Sequence, residues 1–182
     1  DEASNDDQFH GLRYQHWLRL PGGKTEPSPI LDLYGYNQDL PRRQENVHAV
    51  RDVLLRCRLT TGSGQGMLAL RASDGSNTLL VEFDAAEKRV RLQHNEEVVV
   101  RQKFDVQELD AALLEFGLID QQLLLAIDGD PVLAAFPFSR DPGPEVPNDP
   151  LAIGAIDLPL HISDLQVLRD IYYTHPPGSG SR

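Results

Sequence analysis

Apolar and polar residues alternate with a period of two along most of the chain, as in strands that bury one face and wet the other. The clearest runs cover residues 53–59, 67–71, 79–83, 90–94, 97–101 and 123–127. Turn-forming residues bound them: Gly62-Ser-Gly64, Asp74-Gly75, Asp84-Ala-Ala-Glu87, Asn95-Glu96 and Asp128-Gly129. Asp-Gly favours tight hairpins because both residues tolerate positive φ. Short strands at intervals of about 8–12 residues predict an all-β fold, a two-sheet antiparallel β-sandwich, rather than βαβ units.

The flanks are less regular. Residues 1–10 read as a disordered tail, 11–174 as one sandwich domain and 175–182 as a linker to a larger parent protein. An imperfect strand covers 12–20, a Pro- and Gly-rich loop 21–29, a further strand 30–37, and a polar connector runs through Asn46. Val106, Leu109, Leu113 and Phe116 fall at helical spacing and predict one short amphipathic helix near 105–116. A Pro-rich loop at 137–150 precedes a strand at 151–155 and a long final strand from about Leu160 to Tyr173.

Composition narrows the function classes. Seventeen Lys and Arg against 28 Asp and Glu give a net charge of −11, which disfavours nucleic acid because phosphate binding needs a basic stripe. Arg42, Arg43, Arg56, Arg58, Arg89, Arg91 and Arg101 lie in or beside strand-like segments and read as the solvated face of a sheet. No stretch has the ~18–20 apolar residues of a membrane span, so no direct insertion into a bilayer is expected. The polar opening Asp1-Glu-Ala-Ser-Asn-Asp-Asp7 and the missing initiator Met suggest a piece of a longer protein. Cys57 alternates with apolar neighbours and reads as a small buried hydrophobe rather than a nucleophile.

Local catalytic and metal motifs are sparse. His10, His16, His48, His94, His161 and His175 show neither His-x-His nor His-x-x-x-His spacing, so no metal or other cofactor is expected. Gly62-Ser-Gly-Gln-Gly66 lacks the Lys-Ser/Thr ending of a phosphate loop and reads as a hairpin loop. Asp128-Gly129-Asp130 lacks the remaining ligands of a calcium loop and reads as a turn. Glu82 and Asp84 share a strand face, an arrangement compatible with a glycosidase pair or with solvated outward residues. Trp17, Tyr34, Tyr36, Tyr172 and Tyr173 lie towards the two ends of the chain, which a sandwich can bring to one edge as a ligand or partner face.

Two resemblances follow from longer strings. Gln122-Leu-Leu-Leu-Ala-Ile-Asp-Gly-Asp-Pro-Val132, with Leu151-Ala-Ile-Gly-Ala155 and Ile162-Ser-Asp-Leu-Gln-Val167, resembles concanavalin A-like and laminin-G-like jelly rolls. Ile30-Leu-Asp-Leu-Tyr-Gly-Tyr-Asn37, Asp52-Val-Leu-Leu-Arg-Cys-Arg-Leu59 and Asp164-Leu-Gln-Val-Leu-Arg-Asp-Ile-Tyr-Tyr-Thr174 resemble, in order, the large planctomycete-type signal peptidase I proteins. The second resemblance implies an extracytoplasmic insert in a membrane-anchored Ser–Lys protease that removes signal peptides. The Ser-Met-x-Pro, Lys-Arg and Gly-Asp-Asn segments of that family are absent, Met67 follows Gly66, and Lys24, Lys88 and Lys103 match no motif, so no catalytic residue carries over.

The leading expectation is therefore a non-catalytic accessory domain on the periplasmic side of a bacterial inner membrane. Its partners would be the rest of the peptidase, preprotein substrate or envelope components. A carbohydrate-binding or adhesion module of another secreted protein is the alternative, and a β-sandwich glycoside hydrolase a third.

Overall fold

The computed structural model describes residues 10–32, 48–107, 109–141 and 143–170. The strands are β1 (His10–Arg13), β2 (Trp17–Arg19), β3 (Thr25–Pro27), β4 (Leu31–Asp32), β5 (His48–Ala49), β6 (Val53–Thr61), β7 (Met67–Ser73) and β8 (Thr78–Asp84). They continue as β9 (Arg89–His94), β10 (Glu97–Lys103), β11 (Ala112–Ile119), β12 (Gln122–Ile127), β13 (Asp130–Pro131), β14 (Phe136–Pro137), β15 (Leu151–Ile156) and β16 (Leu160–Arg169).

Two sheets form the sandwich, and their paired strands run antiparallel. Sheet one runs β1-β15-β7-β8-β9-β10; sheet two runs β13-β12-β11-β6-β16, with β14 also on β12. The small pairs β2-β3 and β4-β5 lie apart from both. The predicted sandwich is thus the fold, and its core follows from the alternation. Leu79, Val81 and Phe83 of β8 point inward with Val90 and Leu92 of β9, facing Leu55, Cys57 and Leu59 of β6 and Leu114, Phe116 and Leu118 of β11 in one buried cluster. Each such side chain, fully buried, contributes about 1.5–3 kcal/mol. Cys57 has no exposed surface, and burial raises its thiol pKa to about 11.

The described residues of the 105–116 segment contain no helix. After a turn at Gln107, the chain enters β11, which pairs with both β6 and β12. Ala112, Leu114, Phe116 and Leu118 alternate inward, and that period-two set outweighs the helical spacing of Val106, Leu109, Leu113 and Phe116. The expectation of a helix is therefore corrected to a central strand. Its Gly117 allows close approach to β6, where a Cβ would lie 2.2 Å from the Val53 carbonyl oxygen.

Residues 62–66 also differ from expectation. They link β6 of sheet two to β7 of sheet one, so the loop crosses between sheets and is not a hairpin. At Asp74-Gly75 only the glycine takes positive φ (96°); Asp74 instead caps the turn, accepting from the amides of Ser76 and Asn77 at 3.0 and 2.8 Å. Asp128-Gly129 does form the expected tight turn, with φ of 53° and 85°. The resembling strings at 151–155 and 162–167 fall on β15 and β16, in opposite sheets. The predicted tail through residue 9, much of the 30–46 region, the end of the last strand beyond Asp170 and the linker at 175–182 lie outside the described residues.

Candidate functional site

On sheet one the residues that do not reach the core form an ordered outer face. Strand register aligns Gly11, Gly154, Ala69, Glu82, Arg91 and Arg101 in one row across six strands. A neighbouring row carries Arg13, Ala152, Arg71, Leu80, Gln93 and Val98. In the first row β1, β15 and β7 carry small residues, with Gly154 and Ala69 buried, while β8, β9 and β10 carry longer side chains.

Glu82 is the centre of those longer side chains. Arg91, directly opposite on β9, donates through Nε at 2.6 Å and through Nη2 at 3.1 Å to its two carboxylate oxygens. Gln93, two residues along the same strand face, donates through Nε2 at 2.5 Å. The paired fork fixes both planar groups more firmly than a single contact would. The Glu82 carboxylate stabilises the charged guanidinium and raises the Arg91 pKa above its ordinary value. Beside the fork, Met67, Asp84, Glu87, Arg89 and Arg101 complete a depression of about 270 Å³. Asp84, expected to share a face with Glu82, does so, but its carboxylate accepts from the Glu87 amide at 2.9 Å and closes the β8–β9 turn.

The outer face of sheet two has another character. Leu124, Gly117, Leu54 and Leu168 share one row across β12, β11, β6 and β16. Arg56 and Arg58 stand nearby, 3.6 Å from Glu115 and 3.7 Å from Asp164 respectively. A second concavity, about 780 Å³, opens beside β1, β15 and β16 and is lined by Leu12, Ile153, Ala155, Leu158, Leu160 and Ile162 among others.

At one end of the sandwich, Arg140 joins the two sheets. Its Nη2 lies 2.8 Å from Asp52, which leads into β6, and its Nε 2.8 Å from Asp74, which follows β7. Both acids are almost wholly buried. Desolvation opposes ionisation of Asp74, but Arg140, Asn77 and Ser76 together outweigh it and hold its pKa below the usual carboxylate range. This network is a structural clamp.

Of the aromatic residues expected to form a binding face, Trp17 lies on β2, 52% exposed and in register with Pro27 of β3. Tyr34, Tyr36, Tyr172 and Tyr173 lie outside the described residues. Among the described residues no group of three or more His, Cys, Asp or Glu is placed to hold a metal ion. The outer-face roles of Arg91, Gln93 and Arg101 were concealed by reading the arginines only as a solvated face. The available signal was the hairpin: folding residues 79–94 about the 85–88 turn places Glu82 opposite Arg91.

No protein-family model matches the chain, and no curated protein matches it. Solved structures give fold-level likenesses. A carbohydrate-binding module from Bacillus subtilis is 13% identical, with 86% of this chain and 94% of that one covered and a TM-score of 0.45. A galectin from Caenorhabditis elegans is 14% identical, with 64% and 84% covered and a TM-score of 0.47. Toad ovary galectin, solved with thio-digalactose, is 15% identical, with 64% and 89% covered and a TM-score of 0.38. No residue role is carried over from them. Nothing found in these comparisons links the chain to signal peptidase I.

Proposed function

We propose that this domain is a non-catalytic carbohydrate-binding module that seats a glycan on the outer face of sheet one. The observation that carries the reading is the Glu82–Arg91–Gln93 fork on the outer face of sheet one, beside the depression that Met67, Arg89 and Arg101 help to line. A sugar ring offers adjacent hydroxyls that both donate and accept. Glu82 supplies acceptors, while Arg91 and Gln93 supply donors. Because the fork is already ordered, binding avoids part of the roughly 0.5–1.5 kcal/mol cost of immobilising each long side chain.

The test is glycan-array binding with Glu82→Ala and Trp17→Ala. Glu82→Ala is expected to abolish binding while circular dichroism shows an unchanged fold. Loss only in Trp17→Ala would move the site to the β2–β3 hairpin; undiminished binding by Glu82→Ala would remove the fork from the mechanism. A chain that binds no glycan across a broad array would overturn the reading.

A second reading, a docking or spacer domain within an extracytoplasmic signal peptidase, is favoured by the string Asp164-Leu-Gln-Val-Leu-Arg-Asp-Ile-Tyr-Tyr-Thr174. Its partners would be the peptidase body, preprotein substrates or envelope components. Sequencing the flanking gene decides it: Ser–Lys motifs and a membrane span support the reading, and their absence removes it.

A further inference from the structure

We infer, resting on the carbohydrate reading, that the glycan taken by sheet one is anionic and that Arg101 is the residue that pairs with its charge. The protein carries a net charge of −11, yet the outer-face positions of sheet one hold Arg13, Arg71, Arg89, Arg91, Arg101 and Lys103 against Glu82 and Asp84. Three of these cations have acidic partners: Arg91 with Glu82, Arg89 with Glu87 and Arg13 with Asp149. Arg71 donates to the Asp149 carbonyl oxygen.

Arg101 differs. It is exposed on β10, directly beside Arg91 in the strand register, and lines the same depression as Glu82. Among the described residues no hydrogen bond or ion pair occupies its guanidinium. Charged residues on an edge strand also block strand-to-strand aggregation, which accounts for Lys103 near the end of β10. Edge protection does not require a cation that lines the depression beside the fork.

The geometry assigns separate tasks to neighbouring groups. Glu82, Arg91 and Gln93 meet sugar hydroxyls, and Arg101 meets a carboxylate or sulfate on the same ring or the next. The planar guanidinium suits either anion because it offers paired donors. The net charge of −11 repels a polyanion at long range, so a direct contact with Arg101 is what the assignment requires.

The experiment measures affinity for polygalacturonate, for its carboxyl-reduced neutral form and for dextran sulfate, which carries sulfate but no carboxylate, using the chain and its Arg101→Gln variant. Binding to one or both anionic polymers, at least tenfold stronger than to the reduced polymer and weakening with added salt, is expected. Arg101→Gln should remove that advantage and leave affinity for the neutral form unchanged. The two anionic arms distinguish carboxylate from sulfate. Arg101→Lys should retain part of the advantage, as expected when charge persists but the fork is lost. Equal binding to charged and reduced polymers, or an unaffected Arg101→Gln variant, would overturn the anionic assignment while leaving carbohydrate binding intact. Absence of binding to these polymers and to every glycan of the array would overturn both.

Discussion

The two outer faces are built by the same alternation over the same core, yet they end with different chemistry. Sheet one places Glu82, Arg91 and Arg101 around a depression, with Arg91 and Gln93 both donating to the Glu82 carboxylate. Sheet two places Leu124, Leu54 and Leu168 along one row and keeps its Arg56–Glu115 and Arg58–Asp164 pairs longer, at 3.6 and 3.7 Å. An exposed ion pair contributes little to stability, about 0–1 kcal/mol. Under the carbohydrate reading, the carboxylate shared by two donors is the preorganised part of the proposed site. The difference teaches that the informative surface feature is a convergent set of polar groups, not the number of charges on a face.

The comparison can be broken most severely from within. Phe116→Ala empties a fully buried position on β11 and should cost about 3–5 kcal/mol in urea denaturation, weakening both faces together. Arg140→Ala comes next, because it leaves the buried Asp52 and Asp74 without their shared guanidinium. Breaking a buried pair in this way should cost about 3–5 kcal/mol in the same measurement.

Acid sharpens the same point. The folded pKa of Asp74 is depressed below the ordinary value of about 3.9, so its stabilisation is fully present above the unfolded pKa and is lost as pH falls through the folded value. Unfolding midpoints should decline below roughly pH 4, and Asp74→Asn should flatten that decline.

The smaller effects separate the faces. Glu82→Gln should change stability by less than about 1 kcal/mol, yet weaken glycan binding at least tenfold. Arg56→Ala on sheet two should change stability by no more than about 0.5 kcal/mol and leave glycan binding unaltered. Equal binding losses in these two variants would show that total charge, rather than the placement around Glu82, governs recognition.

Much of this architecture was legible because strand alternation is local. Val53-Leu-Leu-Arg-Cys-Arg-Leu59 declares which side of β6 enters the core, and buried Cys57 follows from that period. The β8–β9 hairpin likewise contains the information that pairs Glu82 with Arg91. The 105–116 region misled because Leu113 and Phe116 satisfy a helical spacing while Leu114 and Phe116 satisfy a strand spacing. Only pairing with β6 and β12 selects the second.

The all-β class, most core-facing positions and the turn at Asp128-Gly129 follow from local pattern, since each depends on neighbours a few residues apart. Tertiary structure decided that residues 62–66 cross between sheets and that Gly11, Gly154 and Ala69 lie in the same row as Glu82. It also brought Arg140 between Asp52 and Asp74. These outcomes depend on strand order and long-range register, for which adjacent residues carry no periodic signal.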